Sequence, residues 1–276
     1  MRRIAFPNGE TVPALGQGTW RLGENRNRRA DETAALREGI ALGLGLIDTA
    51  EMYGDGATES FLAEALAGLR DQVFLVSKVY PQNAGRVRLV QACEHSLRRL
   101  GTDRLDLYLL HWRGNVPLAE TVAAMQALQR DGKIRHWGVS NLDTGDMEEL
   151  EAAGGTDCAT NQILYNLMRR GAEFDLLPWM ERRRMPFMAY SPVEQGRLAG
   201  MPALKAVAER HGATPLQIAL AWVLRNDQAI VIPKAARLDH VRLNRQAMDI
   251  ALSDDDLATI EAACPPPRHK TALDML

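Results

Sequence analysis

The feature that most constrains this chain is an alternation of short apolar runs with helical patterns, repeated eight times over 276 residues. Runs that read as strands lie near residues 14–19, 45–48, 73–77, 106–110, 135–139, 159–163, 186–190 and 229–232, and helices fill the gaps. The runs do not alternate strictly between apolar and polar residues, the pattern of strands covered on both faces in a parallel sheet. Leu36, Ile40 and Leu44 follow Thr33 at helical spacing and predict a helix over 31–42; Val90, Cys93, Leu97 and Leu100 predict one over 86–100. Pro117 opens a helix over 118–130 that Gly132 closes, and Ser253 ahead of Asp254, Asp255 and Asp256 caps the last. A length of this order suits one α/β barrel, and no Pro/Ser-rich linker divides it. The expectation is an α/β fold, a (β/α)8 TIM barrel, with residues 1–276 as a single domain. Ahead of it, Ile4 and Phe6, the turn at 7–10, and Thr11 with Val12 predict an N-terminal β-hairpin acting as a lid on the larger body.

A parallel barrel gathers the C-terminal ends of its strands on one face, where active sites lie. Here the second strand ends in Asp48, and Tyr53 follows in a loop tipped by Gly54 and Gly56. A lone buried carboxylate costs several kcal/mol or more, so Asp48 needs a cation. Lys78 after the third strand is the candidate, and His111 follows the fourth. Later strands end in Ser140 and Asn141, in Asn161 and Gln162, in Tyr190 and Ser191, and in Pro233 and Lys234. Taken singly, each has an ordinary reading: a surface lysine, a helix cap at Asp48, a core tyrosine at position 190. Gathered on one face, each answers another's electrostatic need. An ammonium beside Tyr53 is expected to lower its pKa from about 10, making the phenol a better proton donor.

Composition narrows the classes of function. A formal charge of −2 gives no electrostatic case for nucleic acid or for an acidic membrane surface. No run approaches the about 20 apolar residues of a membrane span, and the basic start Met1–Phe6 lacks the apolar stretch of a signal peptide. Cys93, Cys158 and Cys264 are odd in number and widely spaced, which argues against a disulfide framework or zinc site and for a reducing, cytoplasmic setting. Among the strand ends only Asp48 and His111 are suited to a metal, so none is expected. Gly39, Gly43 and Gly45 mimic a dinucleotide-binding loop, but they end a helix and enter a strand, the reverse of the required order, and no Tyr-x-x-x-Lys appears.

These residues in these contexts resemble the aldo-keto reductase family. The resemblance runs over nearly the whole chain: Gly-Gln-Gly-Thr-Trp at 16–20, Ile-Asp-Thr-Ala at 47–50 with Tyr53 following, Ser-Lys at 77–78, Leu-Leu-His-Trp at 109–112, Gly-Val-Ser-Asn at 138–141, Asn-Gln at 161–162, Tyr-Ser-Pro at 190–192 and Ile-Pro-Lys at 232–234. The stretch after Ile232 and the ending from Pro265 look most like bacterial methylglyoxal reductases. The resemblance implies a catalytic tetrad of Asp48, Tyr53, Lys78 and His111, with Tyr53 as proton donor and hydride from a nicotinamide. It further implies that Ser140, Asn141 and Gln162 hold the carboxamide and that Tyr190 stacks on the ring. Ser191, Gly196 and Leu198 would lie along the pyrophosphate, with Lys234 on the 2′-phosphate and Asn244 on the adenine. Trp20, Met52 and Trp112 match positions that wall the substrate pocket. Where the family commonly has a hydroxyl after the lysine and an arginine six residues after it, this chain has Ala235 and His240, with Arg237 or Arg242 as substitutes. NADPH is therefore the expected cofactor, with NADH possible, in a monomer acting on small aldehydes, ketones or dicarbonyls. The alternative is a non-catalytic NADPH-binding barrel that regulates a partner. Arg113, Arg268, His269 and Lys270 form a basic patch expected to be solvated.

Overall fold

A computed structural model describes residues 1–276. The hairpin forms from β1 (Arg3–Ala5) and β2 (Thr11–Pro13), antiparallel, with Ile4 opposite Val12. Eight strands follow in one parallel sheet in chain order: β3 (Gln17–Gly18), β4 (Leu46–Asp48), β5 (Phe74–Val79), β6 (Leu105–Leu110), β7 (Ile134–Ser140), β8 (Asn161–Leu164), β9 (Phe187–Tyr190) and β10 (Ala229–Val231). The first and last meet. Leu15 bridges Val231 and Gly18 bridges Lys234, and the Gly18 N–H donates to the Pro233 carbonyl at 3.1 Å, so the sheet closes into the expected barrel.

Ten α-helices wrap it, named in order α1 (Arg29–Ala41), α2 (Ala57–Ala65), α3 (Arg86–Leu100), α4 (Leu118–Arg130), α5 (Thr144–Ala152), α6 (Leu176–Arg182), α7 (Pro202–His211), α8 (Pro215–Leu224), α9 (Leu238–Gln246) and α10 (Asp254–Ala263). The helices predicted over 86–100 and 118–130 are α3 and α4 without change. Ser253 caps α10 as expected: its Oγ accepts from the Asp256 N–H at 3.2 Å, while Asp256 accepts from the Ser253 N–H at 2.9 Å. Strand limits moved more. The first predicted strand contracts to two residues, β5 runs on through Lys78 to Val79, and β8 starts at Asn161, so Asn161 and Gln162 open a strand instead of ending one.

The two ends of the barrel differ in character. The hairpin covers the N-terminal strand ends: Phe6 packs on Phe74 and His136 at ring distances of 5.9 and 5.3 Å, and Glu10 binds Arg135 at 2.6 Å. The expected lid is thus a floor, on the far side from the residues singled out above. The C-terminal end collects backbone strain. Of seven non-glycine residues at positive φ, six (Arg21, Asp55, Asn141, Ser191, Glu194 and Gln195) lie in segments that leave the C-terminal ends of strands. An L-residue there costs about 1 kcal/mol or more, which concentrates constraint at that end.

Closure leaves no room at the seam. A Cβ on Gly18 would stand 2.8 Å from the Ile232 carbonyl oxygen. Gly18→Ala should therefore force β3 away from β10 and cost about 1–3 kcal/mol of unfolding free energy, read from urea denaturation; an unchanged midpoint would show that the seam can give.

Candidate active site

Asp48 pairs with Val76 across the β4–β5 ladder, so Lys78, two residues on, points to the same side of the sheet and into the barrel mouth. Its ammonium is fully used. Lys78 Nζ donates to Asp48 Oδ2 at 2.8 Å, to the Thr49 carbonyl at 2.8 Å and to Tyr53 Oη at 3.2 Å. The second oxygen of Asp48, Oδ1, accepts from Gln162 Nε2 at 2.8 Å. Both side chains of the ion pair are almost completely out of water, at 1% and 3% exposure, so this saturation by hydrogen bonds is what makes the pair tolerable. Tyr53 reaches it because Gly54, Asp55 and Gly56 all take positive φ (57°, 52° and 86°), which folds the chain back over Lys78. His111 follows β6, held by its N–H on the Val79 carbonyl at 3.0 Å, with its ring edge-on to Tyr53 at 6.2 Å. Its Nδ1 is buried without a partner.

The protonation states follow from burial and neighbours. Burial pulls Lys78 down, but Asp48 and then Tyr53 outweigh it, and the ammonium is held above its ordinary range. Tyr53 departs from expectation: its pKa is raised. Burial raises it, Lys78 opposes, and Asp48 adds to the rise. Much of the Lys78 charge is already answered by Asp48, so it cannot offset the loss of water around the phenol. His111 is pushed down to about 2, first by burial and then by Lys78, which keeps its imidazole neutral.

Four of the predicted cofactor residues, Ser140, Asn141, Gln162 and Tyr190, form one network at the same mouth. Ser140 Oγ donates to the Gln162 carbonyl at 2.9 Å; Asn141, at φ 59°, donates through Nδ2 to the His111 carbonyl and to Ser140 Oγ, both at 3.1 Å. Tyr190 Oη donates to Asn141 Oδ1 at 2.9 Å. Ser191 starts a strained turn in which Glu194 and Gln195 also have positive φ and Gly196 reaches 90°. Leu198 is a core side chain, 1% exposed, so only its main chain is available to a ligand. Asn244 is half-buried on α9. Lys234 sits at the seam, held below its ordinary range by burial and by nearby arginines. The expected substitutes are already paired: Arg237 grips Asp239 at 2.7 and 3.0 Å, and Arg242 grips Glu38 at 2.7 Å.

Of the residues expected to wall the substrate pocket, Trp20 is exposed and Met52 and Trp112 are half-buried. Trp112 packs on His111 at 4.8 Å and on Tyr80 at 5.9 Å, so Tyr80 joins this wall unpredicted; an isolated tyrosine past a strand carries no sequence signal for it. The hydrogen bond from Gln162 to Asp48 was also missed, since nothing in the sequence shows that side chains 114 residues apart will meet. The basic patch is dispersed: Arg113 bonds the Val116 carbonyl at 3.0 Å and Glu149 at 2.9 Å, and Lys270 pairs with Asp175 at 2.9 Å.

Comparison with known proteins agrees with this geometry. The model described as the Aldo/keto reductase family matches residues 14–264. The chain is 53% identical to methylglyoxal reductase YeaE of Escherichia coli (strain K12), with 100% of this chain and 99% of that protein covered. It is 33% identical to the glyoxal reductase of Bacillus subtilis (strain 168), covering 94% of this chain and 91% of that one. Among solved structures, an aldo/keto reductase from Klebsiella pneumoniae in complex with NADP and acetate superposes with a TM-score of 0.97 at 52% identity, covering 100% of this chain and 99% of that chain.

Two stability measurements test the electrostatics. Lys78→Met leaves Asp48 buried with Gln162 alone and should cost about 3–5 kcal/mol at neutral pH, while the double change Asp48→Asn with Lys78→Met should cost clearly less. For His111 the folded pKa of about 2 lies below the ordinary 6.5, so the unfolded chain binds a proton that the folded chain refuses. Its contribution to stability is whole above that ordinary value and is lost as pH falls towards the folded value. The unfolding free energy from urea denaturation should drop between neutral pH and about pH 4.5, by up to about 1.4 kcal/mol per pH unit from this group, and His111→Gln should flatten the drop.

Proposed function

The chain belongs to the aldo/keto reductase family, and from that premise we propose that it is an NADPH-dependent carbonyl reductase in which Tyr53 donates the proton. The observation that carries the reading is the three-way hydrogen bond of Lys78. Because Tyr53 Oη accepts from Lys78 Nζ, its own proton is turned away from the ion pair and towards the open mouth, where a carbonyl oxygen would receive it. The raised pKa keeps that proton in place at neutral pH until a developing alkoxide demands it. Lys78 then stabilises the phenolate left behind, and neutral His111 donates from Nε2 to the same carbonyl oxygen, fixing its direction and sharing the developing charge. The nicotinamide supplies the hydride when bound.

The chain's own groups fit such a cofactor. Gln162 keeps Oε1 without a protein partner after its nitrogen is committed to Asp48, which suits a carboxamide donor. Ser140 and Asn141 complete that pocket, Tyr190 offers the ring face, the main chain of Ser191, Gly196 and Leu198 lies along the pyrophosphate, Lys234 takes phosphate and Asn244 the adenine. Residues 1–276 act as one barrel unit, and the three buried unpaired cysteines suit a reducing cytoplasm.

The substrate is a small aldehyde, ketone or dicarbonyl, with methylglyoxal as the leading candidate. Trp20, Met52, Tyr80 and Trp112 make a largely apolar rim, and the short segment 112–117, pinned by Arg113, places no large loop over it. The same kind of substrate is named for the Escherichia coli and Bacillus subtilis relatives. The intact proton-donating geometry favours this reading over a non-catalytic barrel.

Turnover decides between the two. Purified protein should oxidise NADPH with methylglyoxal and other small carbonyls, and Tyr53→Phe should lower kcat by about 10²-fold or more with the NADPH Kd unchanged. Absence of turnover across a panel of aldehydes, ketones and dicarbonyls, or full activity in Tyr53→Phe, would remove the reductase.

A further inference from the structure

The loop that carries Tyr53 leaves the sheet through a substituted hydrogen bond. Past Asp48 the ladder to β5 runs on for two donors: the Thr49 N–H donates to the Val76 carbonyl at 2.9 Å and the Glu51 N–H to the Lys78 carbonyl at 3.4 Å. The second is near the limit of a hydrogen bond, so the backbone is already parting from β5 there. The next donor on that edge, two residues past Lys78, is the Tyr80 N–H. Were the ladder to continue, it would reach the Glu51 main-chain carbonyl. Instead it donates to the Glu51 side chain, Oε1, at 2.7 Å, and the same oxygen accepts from Asn83 Nδ2 at 3.3 Å. The carboxylate takes the place of a backbone carbonyl. The main chain is thereby released to turn, with the Tyr53 N–H on the Ala50 carbonyl at 3.1 Å and the Asp55 N–H on the Met52 carbonyl at 3.3 Å.

That one oxygen joins the segments leaving β4 and β5. On its own side, two residues on, is Tyr53, whose Oη accepts from Lys78 Nζ at 3.2 Å. On the other side Tyr80 stands edge-on to Trp112 at 5.9 Å, and Trp112 lies 4.8 Å from the His111 ring. The turn at Pro81–Asn83 supports that wall directly, since a Cβ on Gly114 would stand 2.6 Å from Pro81 Cβ. The segment after Trp112 therefore rests on the turn that Glu51 holds. Glu51 is half-buried, and both of its partners are N–H donors. A carboxylate makes such bonds stronger than a neutral acceptor does, but an amide oxygen at the same reach can also accept them.

We propose that Glu51 is a positioning residue: by holding the Tyr80 N–H it sets the separation between Tyr53, which gives the proton, and the Tyr80–Trp112–His111 wall, which orients the carbonyl. The assignment rests on the reading of the barrel as an NADPH-dependent reductase. Glu51 needs no bond to substrate or cofactor for this; what matters is where its oxygen stands, not its charge. A displacement of about 1 Å at a reacting group can cost on the order of 10²-fold in rate, so a tie of this kind has a measurable effect on the chemical step.

The test separates reach from charge. Glu51→Gln removes the charge and keeps an oxygen at the same reach, whereas Glu51→Asp keeps the charge and draws it back by one carbon–carbon bond, about 1.5 Å. The measurement is single-turnover oxidation of bound NADPH by methylglyoxal, in water and in deuterium oxide, alongside the NADPH Kd. Glu51→Asp should slow the turnover about tenfold and enlarge its solvent isotope effect, because the proton step is the one disturbed, with the NADPH Kd within about twofold. Glu51→Gln should bring the rate back to within about threefold of the unaltered protein. A Gln variant no faster than the Asp variant shows that reach is not what counts and overturns the assignment. So does an undiminished rate in Glu51→Asp, or a loss of rate with an unchanged isotope effect or a matching loss of NADPH affinity. In each of these the unaltered protein still reduces methylglyoxal and the reductase reading stands. Failure of the unaltered protein to turn over any small carbonyl overturns that reading and this assignment together.

Discussion

The site depends on one ion pair taken out of water. Asp48 and Lys78 lie on neighbouring strands, and burying both would cost several kcal/mol for each ion if their hydrogen-bonding capacity were left open. Every proton of the Lys78 ammonium and both oxygens of Asp48 are engaged instead, by Thr49, Tyr53 and Gln162 as well as by each other. The pair thus fixes Tyr53 from one side and Gln162 from the other. A barrel suits this task because adjacent parallel strands deliver side chains to one mouth at a set register, here with Asp48 beside Val76 and Lys78 two residues beyond. Hydrophobic residues of similar volume would pack as well or better; what the charges add is control over a proton.

The two ends of the barrel divide stability from chemistry. At the floor, Phe6, Phe74 and His136 pack together, and Asp106 binds both Arg70 at 2.9 Å and Arg135 at 3.0 Å, closing the N-terminal end with satisfied partners. At the mouth, positive φ at Arg21, Asp55, Asn141, Ser191, Glu194 and Gln195 holds side chains in places that relaxed turns would not. The strained residues of the Ser191 turn are tied down: Glu194, almost fully buried, accepts from Asn166 at 2.6 Å and from Arg197 at 2.8 Å. Strain is stored there because the surrounding bonds over-determine it.

Much of this was legible in the sequence, and what escaped has physical causes. Helical periodicity placed α3 to the residue, because an amphipathic face must repeat along its whole length, and the Pro117 and Gly132 boundary signals placed α4 as closely. Strand ends are signalled only by a polar residue, and Lys78 was read as an end although β5 carries it inside, paired. The start of β8 was placed early because Ala159 and Thr160 look like strand; Ala159 does bond the Trp137 carbonyl at 2.9 Å, outside the ladder. Asp48, Tyr53, Lys78 and His111 could be grouped because each ends or follows a strand on one face; their reading as a catalytic tetrad comes from the family resemblance. The sign of the Tyr53 shift could not, since sequence supplies the neighbouring charges but not the water they displace.

Gln162 shows how the two halves of the reaction are joined. Its nitrogen is committed to Asp48, its main-chain carbonyl receives Ser140 Oγ, and its Oε1 has no protein partner. A residue counted with the cofactor pocket therefore also supports the carboxylate that holds Lys78, and Lys78 in turn holds the phenol. Hydride delivery and proton delivery must reach one carbonyl at its two ends within tenths of an ångström, since near-attack geometry governs the rate. A continuous chain of buried hydrogen bonds from Gln162 through Asp48 and Lys78 to Tyr53 meets that need without relying on loop closure. On the proposed cofactor site, a nicotinamide held by Gln162 and a proton donor held by Lys78 would not be placed independently.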